Sequence, residues 1–151
     1  MRIFLICPVR NADEKTKEFI KQYIEKLERQ GHQVYYPARD TNQNDLVGDK
    51  ICKANMRAIK NAHEVHWVWD GQSTGSLFDF GVATALGKKV VPVEGYFPPP
   101  TPTKSFQNVA RAMYQERKKQ KALWDVVTAG AGGLLTGILG AFLFKKFWPK
   151  K

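Results

Sequence analysis

The sequence predicts an α/β protein in which a parallel sheet of four to five strands carries helices on both faces, with one C-terminal transmembrane helix added. Two observations predict the sheet. Short apolar runs alternate with longer segments of helical periodicity, and the links between them are short. Strands joined by such crossovers run parallel. A run of 19 uncharged residues, Val126–Phe144, predicts the membrane helix. The globular part is therefore expected to be Rossmann-like (flavodoxin-like).

The first strand–helix–strand unit is the most regular part of the pattern. A buried strand is expected over residues 2–7, and an amphipathic helix follows over residues 11–31, where apolar side chains recur at helical spacing. Gly31 is expected to end this helix. Residues 32–37 are predicted to form the second strand, and residues 38–45 a polar loop.

The alternation continues as far as residue 121, with a proline-rich connection at residues 95–103 that has no helical option. Ile51, Met56 and Ile59 are expected to face inward from the second helix. The further elements expected are a helix over 47–61, a strand over 64–69, a helix over Ser76–Leu86, a strand over 88–93 and a helix over Lys104–Lys121.

The composition excludes several classes of protein. The chain has 151 residues and 43% hydrophobic residues, which is typical of one folded domain and not of a disordered chain. Its net charge is +10, but residues 116–151 hold eight basic and two acidic side chains. Because most of the excess lies in this segment, nucleic-acid binding by the globular part is not expected. Cys7 and Cys52 form no metal-ligand spacing, so no metal or cofactor is expected, and both are predicted to be buried reduced thiols.

The C-terminal segment predicts that the globular domain is anchored in a membrane. Trp124 and Trp148 bracket the uncharged run, as interfacial aromatic residues bracket a membrane span. Small residues recur every fourth position within it, a spacing that favours helix–helix association and a homodimer or higher homo-oligomer. A single-pass tail anchor with a cytoplasmic globular domain is expected. The expected segments are a domain over 1–115, a basic linker over 116–122, the transmembrane helix over 123–145 and a basic tail over 146–151.

The residues that predict chemistry lie in the loop after the third strand. Ligands of parallel sheets bind at the carboxyl ends of the strands, and Asp70 ends an apolar strand there. Gly71 allows a sharp turn, and the small residues that follow precede a helix N-terminus, which favours anions such as phosphate. Asp79 is expected in the first helical turn, where the dipole favours its ionised form. These two acids are the candidate catalytic residues.

A purely structural interpretation of the same residues stays open. The spacing of Ser76 and Asp79 is also that of a capping box, with serine as N-cap and the acid three residues later. Asp70 could equally be a polar strand terminus. From the residues alone, neither interpretation excludes the other.

Three segments resemble the nucleoside 2-deoxyribosyltransferase-like family, over about residues 2–93. These are "IFLICP", "ANMRAIKNAHEVHWVWDG" and "STGSLFDFGVATALGKKVV". The resemblance implies a double displacement at the anomeric carbon of a nucleoside or nucleotide, through a covalent ribosyl-carboxylate intermediate. It implies that Asp79 is the nucleophile, where the family has a glutamate, and that Asp70 contacts the substrate and manages the proton of the departing base.

The resemblance also implies a substrate-binding set. Ser73, Gly75 and Ser76 occupy the loop that receives the 5′-phosphate in the nucleotide-hydrolysing members, and Gly71 belongs to the same turn. Arg10 is a further candidate for the phosphate, with a solvated surface arginine as the alternative. The first strand ends in Cys7 and Pro8, where the family has Gly-Pro.

The sequence therefore predicts a membrane-anchored N-glycosidase or 2-deoxyribosyltransferase acting on a nucleoside or nucleoside monophosphate. The alternative is a catalytically weak nucleotide-binding sensor that signals through an oligomerising membrane helix. The sensor is favoured by Asp79, which is one methylene shorter than the family's glutamate and so displaces the reacting oxygen.

Overall fold

The computed structural model describes residues 1–97 and 99–130 of the chain. The chain divides into two compact units, Met1–Tyr114 and Gln115–Lys151. The elements in chain order are β1 (Arg2–Ile6), α1 (Glu14–Arg29), β2 (Gln33–Tyr35), α2 (Pro37–Asp40), α3 (Asp49–Asn61), β3 (Glu64–Trp67), α4 (Thr74–Ala85), β4 (Lys89–Pro92) and α5 (Phe106–Gly130).

The four strands of the described residues form one parallel sheet in the order β2-β1-β3-β4, as the α/β prediction requires. In the register, Phe4 pairs with Tyr35 on one side and with Val65 on the other. The chain moves outward from β1 to β2 and then crosses back to β3. The strand order therefore reverses between β1 and β3, and the loops that follow these two strands meet at one edge of the sheet.

Alternating side chains of the strands build a core on each face of the sheet. Ile3 and Leu5 pack with the apolar stripe of α1, whereas Phe4 and Ile6 pack with α3 and α4. All four side chains are fully buried. Helices thus cover both faces, which explains why the strands read as nearly continuous apolar runs.

Several predicted boundaries are corrected by the structure. The segment expected to be a polar loop after β2 contains the short helix α2, whose N1 position is Pro37. Met56 is exposed, although its spacing predicted an inward position. Helix α5 continues past Lys121 to Gly130, since no proline interrupts residues 122–130.

Within residues 1–97 and 99–130, no helix is both long and apolar enough to span a bilayer. Of the predicted transmembrane segment 123–145, residues 131–145 lie outside the described part of the chain, as does the predicted tail 146–151.

Candidate active site

A cavity of about 370 Å³ lies at the edge of the sheet where the strand order reverses. The loop after β1 and the loop after β3 form two of its walls, as the topology requires, and α3 contributes a third. Eight of the nine residues predicted to form the site line this cavity: Cys7, Pro8, Arg10, Asp70, Ser73, Gly75, Ser76 and Asp79.

Gly71 is the one predicted residue that does not line the cavity. Its φ of 83° lies in the left-handed region, which glycine adopts without strain. Gly71 therefore shapes the turn between Asp70 and α4.

Asp79 lies in the second turn of α4, with 7% of its surface exposed. Its Oδ2 accepts a hydrogen bond of 3.1 Å from Nδ2 of Asn55 on α3. Among the described residues, no hydrogen bond reaches Oδ1. One carboxylate oxygen is thus fixed by a neighbouring helix, and the other is available to a molecule in the cavity.

The capping interpretation of Asp79 is wrong. Helix α4 begins at Thr74, with Ser73 as N-cap, and the Ser73 hydroxyl accepts a 3.3 Å bond from the backbone N–H of Ser76. Asp79 is therefore the sixth helical residue, too far along to close the helix end. The expectation that it occupies the first turn is corrected for the same reason.

Asp70 shapes the loop and also lines the cavity. Its Oδ1 accepts hydrogen bonds from the backbone N–H groups of Gln72 at 3.0 Å and Ser73 at 2.9 Å. These bonds form an Asx-type turn that places Ser73 at the start of α4. The interpretation of Asp70 as a polar strand terminus thus accounts for Oδ1, while Oδ2 is not used by the turn.

Ser76 is the most deeply buried polar residue of this segment, with 2% of its surface exposed. Its Oγ has no hydrogen-bond partner among the residues that the structure describes. A buried hydroxyl without a partner costs free energy, and this one lines the cavity. It is therefore a buried polar group beside the cavity, in the first turn of α4.

Residues 3–121 match the family described as nucleoside 2-deoxyribosyltransferase. The chain belongs to this family. The family is one of enzymes.

Two solved structures are similar to this deoxyribosyltransferase-family chain. A CMP N-glycosidase of Clostridium botulinum is 26% identical, with a TM-score of 0.46, and the match covers 61% of this chain and 66% of that one. A 2-deoxyribosyltransferase of the psychrotolerant bacterium Bacillus psychrosaccharolyticus is 22% identical, with a TM-score of 0.52, covering 61% and 71%. The chain thus spans less than two thirds of the glycosidase's length. No curated protein matches the chain.

Burial controls the charge of Asp79 in this family member. Desolvation raises the pKa of Asp79 to about 7, and the hydrogen bond from Asn55 opposes this rise. The expected preference for the ionised form is therefore corrected, because Asp79 lies beyond the first turn, where the dipole acts, and inside the protein. With this pKa, both forms of the carboxyl group are populated near neutral pH.

The two cysteines differ from each other. Burial, Asp79 and Asp70 together raise the pKa of Cys7, which keeps it a thiol instead of a thiolate nucleophile. Cys52 is only half-buried, so the prediction that both are buried is wrong for this residue, and it too lines the cavity. Both are free thiols, and the described residues contain no cluster suited to a metal ion.

Sequence reasoning missed the wall that α3 contributes. Asn55 lies on the buried face of α3 and fixes Asp79. The signal was present, because Ile51, Asn55 and Ile59 follow each other at intervals of four, which places one amide within an apolar stripe. A polar side chain on a buried helix face needs a partner, and a site residue can supply it.

Proposed function

We propose that this protein cleaves or exchanges the N-glycosidic bond of a nucleoside or nucleoside monophosphate. The observation that carries the proposal is the carboxylate of Asp79, buried in the cavity with Oδ2 fixed by Asn55 and Oδ1 without a partner among the described residues. A nucleophilic carboxylate needs one oxygen held and one oxygen exposed to the reacting carbon.

In the proposed reaction, Oδ1 of Asp79 attacks the anomeric carbon and forms an ester bond. The bond from that carbon to the base nitrogen breaks, and the base leaves with the electron pair and takes up a proton. Water then hydrolyses the ester, or the nitrogen of a second base displaces Asp79 and yields a new nucleoside. Two displacements at one carbon retain its configuration.

Asp70 is proposed to orient the substrate and to manage the proton of the departing base. Its Oδ1 is committed to the loop amides, so this role falls to Oδ2. The 5′-phosphate, where one is present, is proposed to lie at the N-terminus of α4. The hydroxyl of Ser76, which has no partner in the part of the chain that the structure describes, supports that placement, and Arg10 lines the same cavity with a positive charge.

A catalytically weak nucleotide-binding sensor is the second candidate. It is favoured by the short side chain of Asp79, since the family resemblance implies a glutamate at this position. An oxygen displaced by about 1 Å can cost on the order of a hundredfold in rate while binding persists. The two candidates predict the same ligand and differ only in turnover.

The deciding experiment incubates the full chain with CMP, dCMP, deoxyadenosine and thymidine, with and without adenine as acceptor base. Released base and new nucleoside are measured by chromatography. If the protein is an enzyme, release should disappear in Asp79→Ala and persist in Asp49→Ala. The second variant is a matched change at an exposed aspartate that, within the described chain, pairs with Lys53. Calorimetric binding of CMP without release would support the sensor, and neither binding nor release would contradict both.

We also propose that residues 123–145 anchor the protein in a membrane as a single-pass segment, with the globular domain cytoplasmic and the chains associated as a homo-oligomer. The support is the uncharged run with tryptophans at both ends and its stripe of small residues. Alkaline carbonate extraction of the full chain tests the anchor. The double change Leu135→Lys and Ile138→Lys should release the protein from the pellet, and equal release of the unmodified chain would contradict the anchor.

A further inference from the structure

A chain of three hydrogen bonds leads from the half-buried Tyr35 to Asp79. The hydroxyl groups of Tyr35 and Thr41 are 2.7 Å apart, and Thr41 Oγ1 donates to Oδ1 of Asn55 over 3.1 Å. Nδ2 of Asn55 then donates to Asp79 over 3.1 Å. Thr41 and Asn55 each have 6% of their surface exposed, so water does not compete for the bond between them.

The direction of the bonds in the chain follows from the bond that Thr41 donates to Asn55. The Thr41 hydroxyl has one hydrogen, and it points to Oδ1 of Asn55. With that hydrogen used, the short contact between the two hydroxyls is one that Tyr35 donates, and the carbonyl oxygen of Asp40, 3.4 Å away, is a more distant second acceptor for the same hydrogen. All three donors point towards Asp79, an arrangement in which each bond polarises the next. Such an arrangement stabilises a negative charge on the carboxylate.

We propose that Thr41 is a positioning residue for Asp79, because its hydroxyl donates to Oδ1 of Asn55 and so holds the amide in the orientation that presents N–H to the carboxylate. If the Asn55 amide turned over, its oxygen would face Oδ2 of Asp79 and repel the ionised form. The proposal rests on the proposed function of Asp79 as nucleophile. Thr41 itself does not touch the substrate cavity, so it acts only through Asn55.

The fold holds Thr41 in place from several directions. Its backbone N–H donates to the carbonyl of Pro37 at 3.1 Å, which ends α2, and its own carbonyl accepts from the side chain of Gln43 at 2.9 Å. The ring of Tyr35 stacks on Phe4 with centroids 5.5 Å apart. The hydroxyl group is thus pre-set by backbone and core contacts, and ligand binding is not needed to form the chain.

The titratable groups around Asp79 come from three elements. Cys7 lies in the loop after β1, Cys52 on α3 and Asp70 in the loop before α4, and Arg10 lines the cavity with a positive charge. Burial, and after it the charge of Asp79, raises the pKa of both cysteines, which therefore stay neutral at physiological pH. Asn55 is the one group that donates a hydrogen bond to Asp79 among the described residues, so its orientation has a direct effect on ionisation.

The test measures the ionisation of Asp79 in the full chain labelled with ¹³C at the aspartate carboxyl groups. Thr41→Val removes the hydroxyl and keeps the shape, and Thr41→Ser restores the hydroxyl. The matched control is Thr84→Val, which removes a buried hydroxyl on α4 that has no partner in the described residues. The signal of Asp79 is assigned by its loss in Asp79→Asn.

The expected result is a titration midpoint for Asp79 about one pH unit higher in Thr41→Val, and unchanged in Thr41→Ser and Thr84→Val. An unchanged midpoint in a folded Thr41→Val would overturn the proposal. If that variant does not fold, Tyr35→Phe replaces it, with an expected shift in the same direction and of smaller size. An equal shift in Thr84→Val would also contradict a specific role.

A kinetic measurement separates this proposal from the proposed function. With the nucleotide cleaved fastest among those named above, kcat of Thr41→Val should fall about tenfold at pH 6 and recover at pH 9, where Asp79 is ionised in both proteins. A merely structural defect would lower kcat at both pH values. Because the titration needs no substrate, a shifted midpoint without base release contradicts only the proposed function, and base release with an unshifted midpoint contradicts only the role of Thr41.

Discussion

Asn55 and Asp79 lie 24 positions apart in the chain, and the 3.1 Å bond between them joins α3 to α4 at the cavity wall. The amide is neutral, so it orients the carboxylate without adding a charge. Burial raises the pKa of Asp79 to about 7, and the amide limits that rise. The pair thus holds a carboxylate that is poorly solvated, and hence reactive, yet ionised in part at neutral pH.

Replacing Asn55 with aspartate is expected to reduce base release at pH 7 by at least about tenfold. Two carboxyl groups at hydrogen-bond distance share one proton, so the introduced carboxyl group and Asp79 would together hold a proton to higher pH than Asp79 alone. A pH–rate profile of kcat/KM checks this, with the acid limb displaced upward. Asn61→Asp, the same change at the exposed end of α3, is the control, and an equal profile for both variants would contradict the pairing.

Replacing Asp79 with asparagine is expected to stabilise the fold at high pH. Because burial raises the pKa of Asp79 from 3.8 to about 7, the folded protein binds a proton that the unfolded chain releases between these values. The free energy of unfolding therefore falls as pH rises from about 4 to 7, by an amount of the order of 4 kcal/mol. Asparagine has no proton to lose and avoids this cost.

The measurement is thermal unfolding of Asp79→Asn and the unmodified chain at pH 4 and pH 8. The variant should melt several degrees higher at pH 8 and close to the unmodified chain at pH 4. A gain of equal size at both pH values would mean that packing, and not ionisation, causes the difference.

The part of the site that could be predicted from the sequence is the part that the topology determines. Cys7 follows strand β1, and Asp70 follows strand β3. Because the strand order reverses between these parallel neighbours, the loops that follow them lie at one edge of the sheet, however the helices pack. That rule needs only the order of the elements, which hydrophobic periodicity provides. Cys7 and Asp70 could therefore be predicted to share a cavity.

The burial of Asp79 and its raised pKa could not be predicted in the same way. The spacing of Ser76 and Asp79 fits a capping box, but Ser73 caps the helix instead, and this moves Asp79 into the second turn. Its partner Asn55 comes from another helix. Which side chains of α3 and α4 meet depends on how the two helices pack, and no local pattern encodes that. Burial of Asp79, and with it the raised pKa, follows from this packing.

Two substitutions of Asp70 are expected to separate its structural role in the loop from its chemical role in the reaction. Asp70→Asn keeps an oxygen that accepts from the N–H groups of Gln72 and Ser73, so the loop should persist and the melting temperature should change by about 1 °C or less. It removes the negative charge, so base release should fall by about tenfold or more. Asp70→Ala should lower both quantities, since two loop amides lose their acceptor.

Thermal unfolding and base release, measured on the same preparations, check this division. Full activity in Asp70→Asn would mean that the carboxylate serves only the loop. A loss of melting temperature as large in Asp70→Asn as in Asp70→Ala would show that the charge itself stabilises the turn.

Ser76 and Ser73 are expected to respond in opposite ways to replacement by alanine. Ser76→Ala removes a buried hydroxyl that has no partner in the described chain, so the free energy of unfolding should stay the same or rise. Ser73→Ala removes the N-cap of α4 and should cost about 1 kcal/mol. If the Ser76 hydroxyl binds the substrate, Ser76→Ala should raise KM for CMP about tenfold with a smaller change in kcat. Denaturant unfolding and initial rates test the pair, and an unchanged KM in Ser76→Ala would remove that serine from the binding site while leaving Asp79 as nucleophile unaffected.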